Sequence, residues 1–130
     1  MVGIAVISHG KMCEGILDSV SMVAGEMKQT DSVSLKAGES PDHFKDRLKE
    51  VVDRLDTGDG VVVFADLMGG TPFNTICALS QEQNVTIVTG MNMAMLLTAS
   101  LERTEKTSME TLVEKAMEAG TQGIRSLKRK

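Results

Sequence analysis

At 130 residues, with 42% hydrophobic side chains, the chain is long enough for one domain that buries roughly two-thirds of the surface its unfolded form would expose. A formal net charge of −4, with the basic residues Arg125, Lys128, Arg129 and Lys130 gathered only at the tail, argues against a nucleic-acid partner, which wants a basic face. Two unrelated cysteines, no apolar run near the roughly 20 residues of a membrane span and no signal-peptide pattern predict a reduced, cytoplasmic protein.

The first segment, Val2 to Ile7, contains five apolar residues with β-branched Val and Ile prominent, the pattern of a short strand buried on both faces of a parallel sheet. His9 stands at its carboxyl end, where open α/β sheets bind their ligands, and Gly10 follows before a helix begins near Lys11. That helix carries Met12, Ile16, Val20 and Val23 on one face and stops at Gly25. Cys13 reads as a small packing residue. Ser32 to Leu35 alternates as a second strand, and Ser40 with Pro41 opens a helix whose stripe, Phe44, Leu48, Val51 and Leu55, runs to Thr57-Gly58. His43 falls in its first turn and reads as a solvated surface residue.

Val61 to Asp66 is a third apolar run, and like the first it ends in a polar group. Asp66 is therefore expected beside His9. The glycine loop Leu67 to Thr71 leads into a helix with Thr71 as expected N-cap and Pro72 as first residue, and exposed amides in such a turn form an anion nest. Val85 to Thr89 makes a further strand, and Asn92 caps a short helix over Met95, Leu96 and Ala99. Thr107 with Glu110 reads as a capping box for a last helix that stops at Gly120, which leaves Gln122 to Leu127 between a loose tail and an edge strand.

Strands alternating with helices predict a doubly wound α/β fold, a mostly parallel sheet with helices on both faces. In the 2-1-3-4 type of strand order the first and third strands flank the switch point, so His9, Asp66 and the Gly69-Gly70 loop converge in one crevice. The chemistry they suit is phosphoryl transfer through histidine. The attacking ring nitrogen must be unprotonated, so a carboxylate that holds the proton on the other nitrogen fixes the useful tautomer, and Asp66 is placed for this. Backbone N–H groups from Gly10 onward and from Gly69, Gly70 and Thr71 are candidates to receive the phosphoryl oxygens. No Walker lysine, kinase loop or acidic metal cluster accompanies them, so no cofactor and no metal is expected.

The segments Ile7-Ser8-His9-Gly10, Gly38-Glu39-Ser40-Pro41, Asp66 to Asn74 and Thr89-Gly90-Met91-Asn92, in this order, resemble the EIIA domain of the mannose family of the bacterial sugar phosphotransferase system. The resemblance covers nearly the whole chain. It implies that His9 takes a phosphoryl group from the phosphocarrier HPr and passes it to an EIIB domain, which phosphorylates sugar during import by membrane permease subunits. It implies also a cytoplasmic homodimer, associated with the membrane only through the transporter, in which a C-terminal strand is exchanged between subunits. An EIIB partner is expected outside these 130 residues. The sequence differs from the family's common pattern at Met68, Thr71 and Met93-Ala94, all near the rim of the crevice. Met12, Met68, Met91 and Met93 are expected to form an adaptable apolar rim on which two unlike partners dock in turn. Two other readings are a receiver-type domain phosphorylated on Asp66, which needs an acidic pair where Ser8-His9 stand, and a regulatory binding module of the same fold.

Overall fold

In the computed structural model, residues 1–129 are described. Their elements run β1 (Gly3–His9), α1 (Met12–Ala24), β2 (Thr30–Leu35), α2 (Pro41–Leu55), β3 (Val61–Ala65), α3 (Gly70–Leu79), β4 (Val85–Val88), α4 (Met93–Glu102) and α5 (Met109–Gln122). The four strands form one sheet in the order β2-β1-β3-β4, every pair parallel. Helices on both faces complete the expected doubly wound α/β fold.

Strand alternation divides the core in two. Val2, Ile4, Val6, Val62, Phe64 and Val88 face α1, α4 and α5, where they meet Val20, Leu96, Ala99 and Leu112. Ala5, Ile7, Val33, Val61, Val63 and Ala65 face α2 and α3, against Phe44, Leu48, Val52 and Ile76. Each fully buried Val, Leu or Ile contributes about 1.5–3 kcal/mol by leaving water, so these two layers, more than any surface pair, hold the strands in register. Helix α2 starts as its sequence predicts: the Ser40 hydroxyl accepts from the His43 amide at 3.1 Å and Pro41 is the first helical residue.

Several boundaries differ from the sequence reading. Helix α3 begins one residue before Thr71: Gly69, at φ 95°, is its cap and Gly70 its first residue, so Thr71 lies inside the helix and its carbonyl accepts from Thr75 Oγ1. Helix α5 is capped by Ser108, which accepts from the Thr111 amide; the expected cap, Thr107, instead accepts from the Thr104 amide and closes the preceding turn. Nor does α5 stop at Gly120. A Cβ there would lie 2.5 Å from Met95 Cγ, so this glycine permits close packing of α4 on α5, and the helix continues to Gln122. Residues 124–129 carry no regular secondary structure.

Candidate active site

The parallel register pairs Ile7 with Ala65, so the residues just beyond, His9 and Asp66, leave the sheet side by side. The alternation of β1 points its last two side chains in opposite directions. Ser8 is fully buried on the α1 side, where its hydroxyl accepts from the Cys13 amide at 2.8 Å and donates to the Gly10 carbonyl at 2.9 Å. His9 turns toward α3 and is about half exposed. Ser8 was not singled out by sequence reasoning, although a hydroxyl residue just before a helix start is a recognisable capping signal.

One oxygen of Asp66 serves His9 twice: Oδ2 accepts from the His9 amide at 2.9 Å and lies 2.7 Å from ring Nδ1. The other, Oδ1, accepts from the Leu67 amide at 2.8 Å. Burial of this side chain, only 8% exposed, would raise its pKa, but the hydrogen bonds from the His9 amide, the His9 ring and the Leu67 amide outweigh burial and hold it below the usual aspartate value. An ionised carboxylate can only accept, so the tautomer that suits this contact carries the ring proton on Nδ1, donates it to Oδ2 and leaves Nε2 with its lone pair.

Gly70 closes the site from the α3 side. A Cβ on Gly70 would stand 3.0 Å from His9 Cε1 and 3.1 Å from Nε2, and its φ of +81° is one that L side chains rarely adopt. The Gly70 and Thr71 amides, in the first turn of α3, have no acceptor within the helix and sit at its positive end. Gly10 is different. Its amide donates to the Leu35 carbonyl at 2.8 Å, so it ties the β1 loop to β2 and has no N–H to offer a phosphoryl group.

The methionines separate. Met12, Met68 and Met93 are exposed, Met68 by 77%, and Leu67 adds a further exposed apolar side chain. Met91, expected at the rim, is 4% exposed and belongs to the core. Its amide donates to the Ala65 carbonyl, which draws the chain back over the sheet and turns the side chain inward with Met95 and Leu96.

Sequence reasoning also missed Glu39. Its nearly buried carboxylate takes a two-pronged bond from Arg47, with both contacts at 2.8 Å, the Lys36 amide at 3.1 Å and the His43 ring at 2.6 Å. Hydrogen bonding to Arg47 leads the causes that lower its pKa to about 2. Arg47 also donates to the Ser34 carbonyl, so this network fastens the loop after β2 onto α2. His43 is exposed as expected, but its ring is held by Glu39. Cys13 is buried, a packing residue. Among the described residues no group of three or more His, Cys, Asp or Glu could hold a metal ion, and no helix is long and apolar enough to cross a membrane.

The four-stranded parallel sheet with helices on both faces is an α/β fold that matches phosphotransferase IIA structures. Residues 3–117 match the family model EIIA-man, described as the phosphotransferase system (PTS) fructose IIA component, and the chain belongs to this family. Its relatives include the mannose-specific EIIAB component of Escherichia coli K12, 28% identical over 130 residues, which cover 99% of this chain and 40% of that protein. The chain thus spans less than half the length of that relative. Among solved structures, EIIA from Streptococcus agalactiae superposes with a TM-score of 0.88 at 32% identity, covering 97% of each chain. The mannose/sorbose-specific IIA subunit from Enterococcus faecalis gives 0.85 at 26% identity, covering 99% of this chain and 96% of that one.

Proposed function

We propose that this chain, as a single EIIA-type unit over residues 1–130, is a phosphohistidine relay of sugar uptake that receives a phosphoryl group from phospho-HPr on His9 and delivers it to an EIIB domain. The observation that carries the reading is the His9 Nδ1 contact with Asp66 Oδ2 at 2.7 Å, which supports Nε2 as the nucleophile by favouring the tautomer with its proton on Nδ1. The Nε2 lone pair attacks phosphorus, the N–P bond forms as the bond from phosphorus to the donor breaks, and the donor retains the electron pair. Positive charge that develops on the ring is balanced by Asp66 through the Nδ1 proton. The Gly70 and Thr71 amides receive phosphoryl oxygens, and Gly69 supplies the turn that aims them. Transfer to EIIB runs the same steps in reverse.

Met12, Met68 and Met93 form the apolar rim on which donor and acceptor dock in turn. The protein works in the cytoplasm as a homodimer, with residues 124–129, which expose Ile124 and Leu127, as the segment that pairs with a second subunit, and it reaches the membrane only through the permease subunits. The test is incubation with phosphoenolpyruvate, enzyme I and HPr, followed by mass mapping of the modified residue. One phosphoryl group is expected on His9, stable in base and lost in acid. Label on Asp66, as a receiver-type domain would carry, or no label at all, would overturn the reading.

A further inference from the structure

The His9 ring is about half exposed, so its aim depends on the chain that bears it. On one side it is held by the two bonds to Asp66 Oδ2. On another it faces the α3 turn, where a Cβ on Gly70 would stand 3.0 Å from Cε1 and 3.1 Å from Nε2. A ring so close to a neighbouring backbone tolerates little displacement of its own. Yet β1 ends at His9, and the chain turns at once through Gly10, whose φ is +59°.

That turn is held at both polar groups of Gly10. The amide bonds the Leu35 carbonyl at 2.8 Å, and Leu35 is itself braced, because Arg47 holds the Ser34 carbonyl before it and Glu39 holds the Lys36 amide after it. The Gly10 carbonyl is held by Ser8, whose hydroxyl donates to it at 2.9 Å. The other donor near this carbonyl among the described residues, the Cys13 thiol, is 3.9 Å away and weak. The Ser8 oxygen also accepts from the Cys13 amide at 2.8 Å. That amide lies in the first turn of α1 and has no acceptor within the helix, and Lys11, at the cap position, supplies none from its side chain. One fully buried hydroxyl, with its proton and a lone pair both committed, thus ties the end of β1 to the start of α1 across His9.

We propose that Ser8 is a positioning residue for His9: its hydroxyl fixes the Gly10 turn and, through it, the angle at which the ring meets Asp66 and the incoming phosphorus. The proposal rests on the relay reading and adds to it a residue that touches neither the phosphoryl group nor a partner protein. Alternation along β1 separates the two tasks, since Ser8 faces α1 and the interior while His9 faces α3. Without the hydroxyl the Gly10–Lys11 peptide loses its anchor and can rotate about Gly10, which has no side chain to restrain it. A reacting group misplaced by about 1 Å can lose on the order of 100-fold in rate.

Ser8→Ala tests this beside Val20→Ala, which removes core volume from α1 and leaves the Ser8 bonds in place. Labelling of His9 is followed from phospho-HPr and from the small molecule phosphoramidate, and the tautomer of the His9 ring by nitrogen NMR. Ser8→Ala should label about 10- to 100-fold more slowly with both donors, as a loss in kcat with the KM for phospho-HPr unchanged, and its neutral ring should lose the excess of the Nδ1-protonated form. Val20→Ala should keep the wild-type rate and ring spectrum at a comparable loss of thermal stability. If Ser8→Ala does not fold, Ser8→Cys, which keeps the shape of the side chain and weakens both bonds, should show a smaller loss of the same kind. A folded Ser8 variant with an unchanged rate would overturn the proposal, as would an equal loss in Val20→Ala, or a loss confined to phospho-HPr, which would make Ser8 part of docking. If the wild-type protein takes no label from either donor, the relay reading fails, and the ring spectra alone then decide the role of Ser8.

Discussion

Replacing Asp66 by Asn keeps the shape of the side chain and removes its charge. In the wild-type site Oδ2 faces two donors, the His9 amide and Nδ1, while Oδ1 faces one, the Leu67 amide. An Asn has one accepting oxygen, and because the His9 amide can only donate, that oxygen must stay on the His9 side. The Asn NH₂ then confronts the Leu67 N–H. One hydrogen bond is lost, and because this loop is exposed the freed Leu67 N–H can turn to water, at a cost of about 0.5–1.5 kcal/mol in stability. The His9 ring keeps a neutral acceptor at Nδ1 but loses the charge that balances its cationic form. A hydrogen bond to a charged group is worth about 1.5–3 kcal/mol, so the loss of most of it in the transition state slows transfer by about 10- to 150-fold. The assay is the initial rate of His9 labelling by phospho-HPr, with the thermal midpoint measured on the same sample. A folded variant with an unchanged rate would refute the role given to Asp66.

The two glycines before α3 should behave differently. Gly70→Ala places a methyl against the His9 ring at an unfavourable φ, so phosphotransfer should fall severely, whereas Gly69→Ala, whose Cβ meets nothing within 4 Å, should show mainly a stability loss of about 1–2 kcal/mol from its positive φ. Thermal midpoints and labelling rates of the pair separate the effects. Glu39 has a pKa lowered to about 2, so its contribution to stability is complete above the ordinary glutamate value near 4.5 and is lost as pH falls through about 2. Acid denaturation of Glu39→Gln should lack that part of the pH dependence, and a profile parallel to wild type would reject the network. Met68→Glu should leave the thermal midpoint nearly unchanged and weaken transfer from HPr and to EIIB, while Met91→Glu, which puts a charge into the core, should unfold the protein; equal stability of the two would contradict the division between rim and core.

Elements fixed by periodicity were legible in the sequence. The stripe of α2 and the apolar runs of β1 and β3 each draw on many residues, and together they brought His9 and Asp66 to one edge. Features decided by a single contact were harder to read. Thr71 before Pro72 has the form of a cap, yet the left-handed backbone at Gly69 starts the helix earlier. Gly120 has the form of a stop, yet it is the point where Met95 enters. Met91 and Met93 are two residues apart and look alike in sequence. Only the bond from the Met91 amide to Ala65 sends the first inward. The Gly10 amide and the Glu39 carboxylate depend on partners in other elements, Leu35 and Arg47, and no local pattern signals them.

The His9–Asp66 pair is set by adjacent strand ends, joined at the last rung by the bond from the Asp66 amide to the Ile7 carbonyl, whereas the exposed methionines Met12, Met68 and Met93 stand on loops and first helical turns. Chemistry and partner choice are therefore separable by design. A chimera that exchanges residues 11–12, 36–37 and 67–68 for those of another such chain can acquire that chain's partners without moving His9 relative to Asp66, because the one contact to the pair within those segments is made by the Leu67 backbone amide, which any residue but proline supplies. One sheet edge can in this way carry different surfaces around the same pair of side chains.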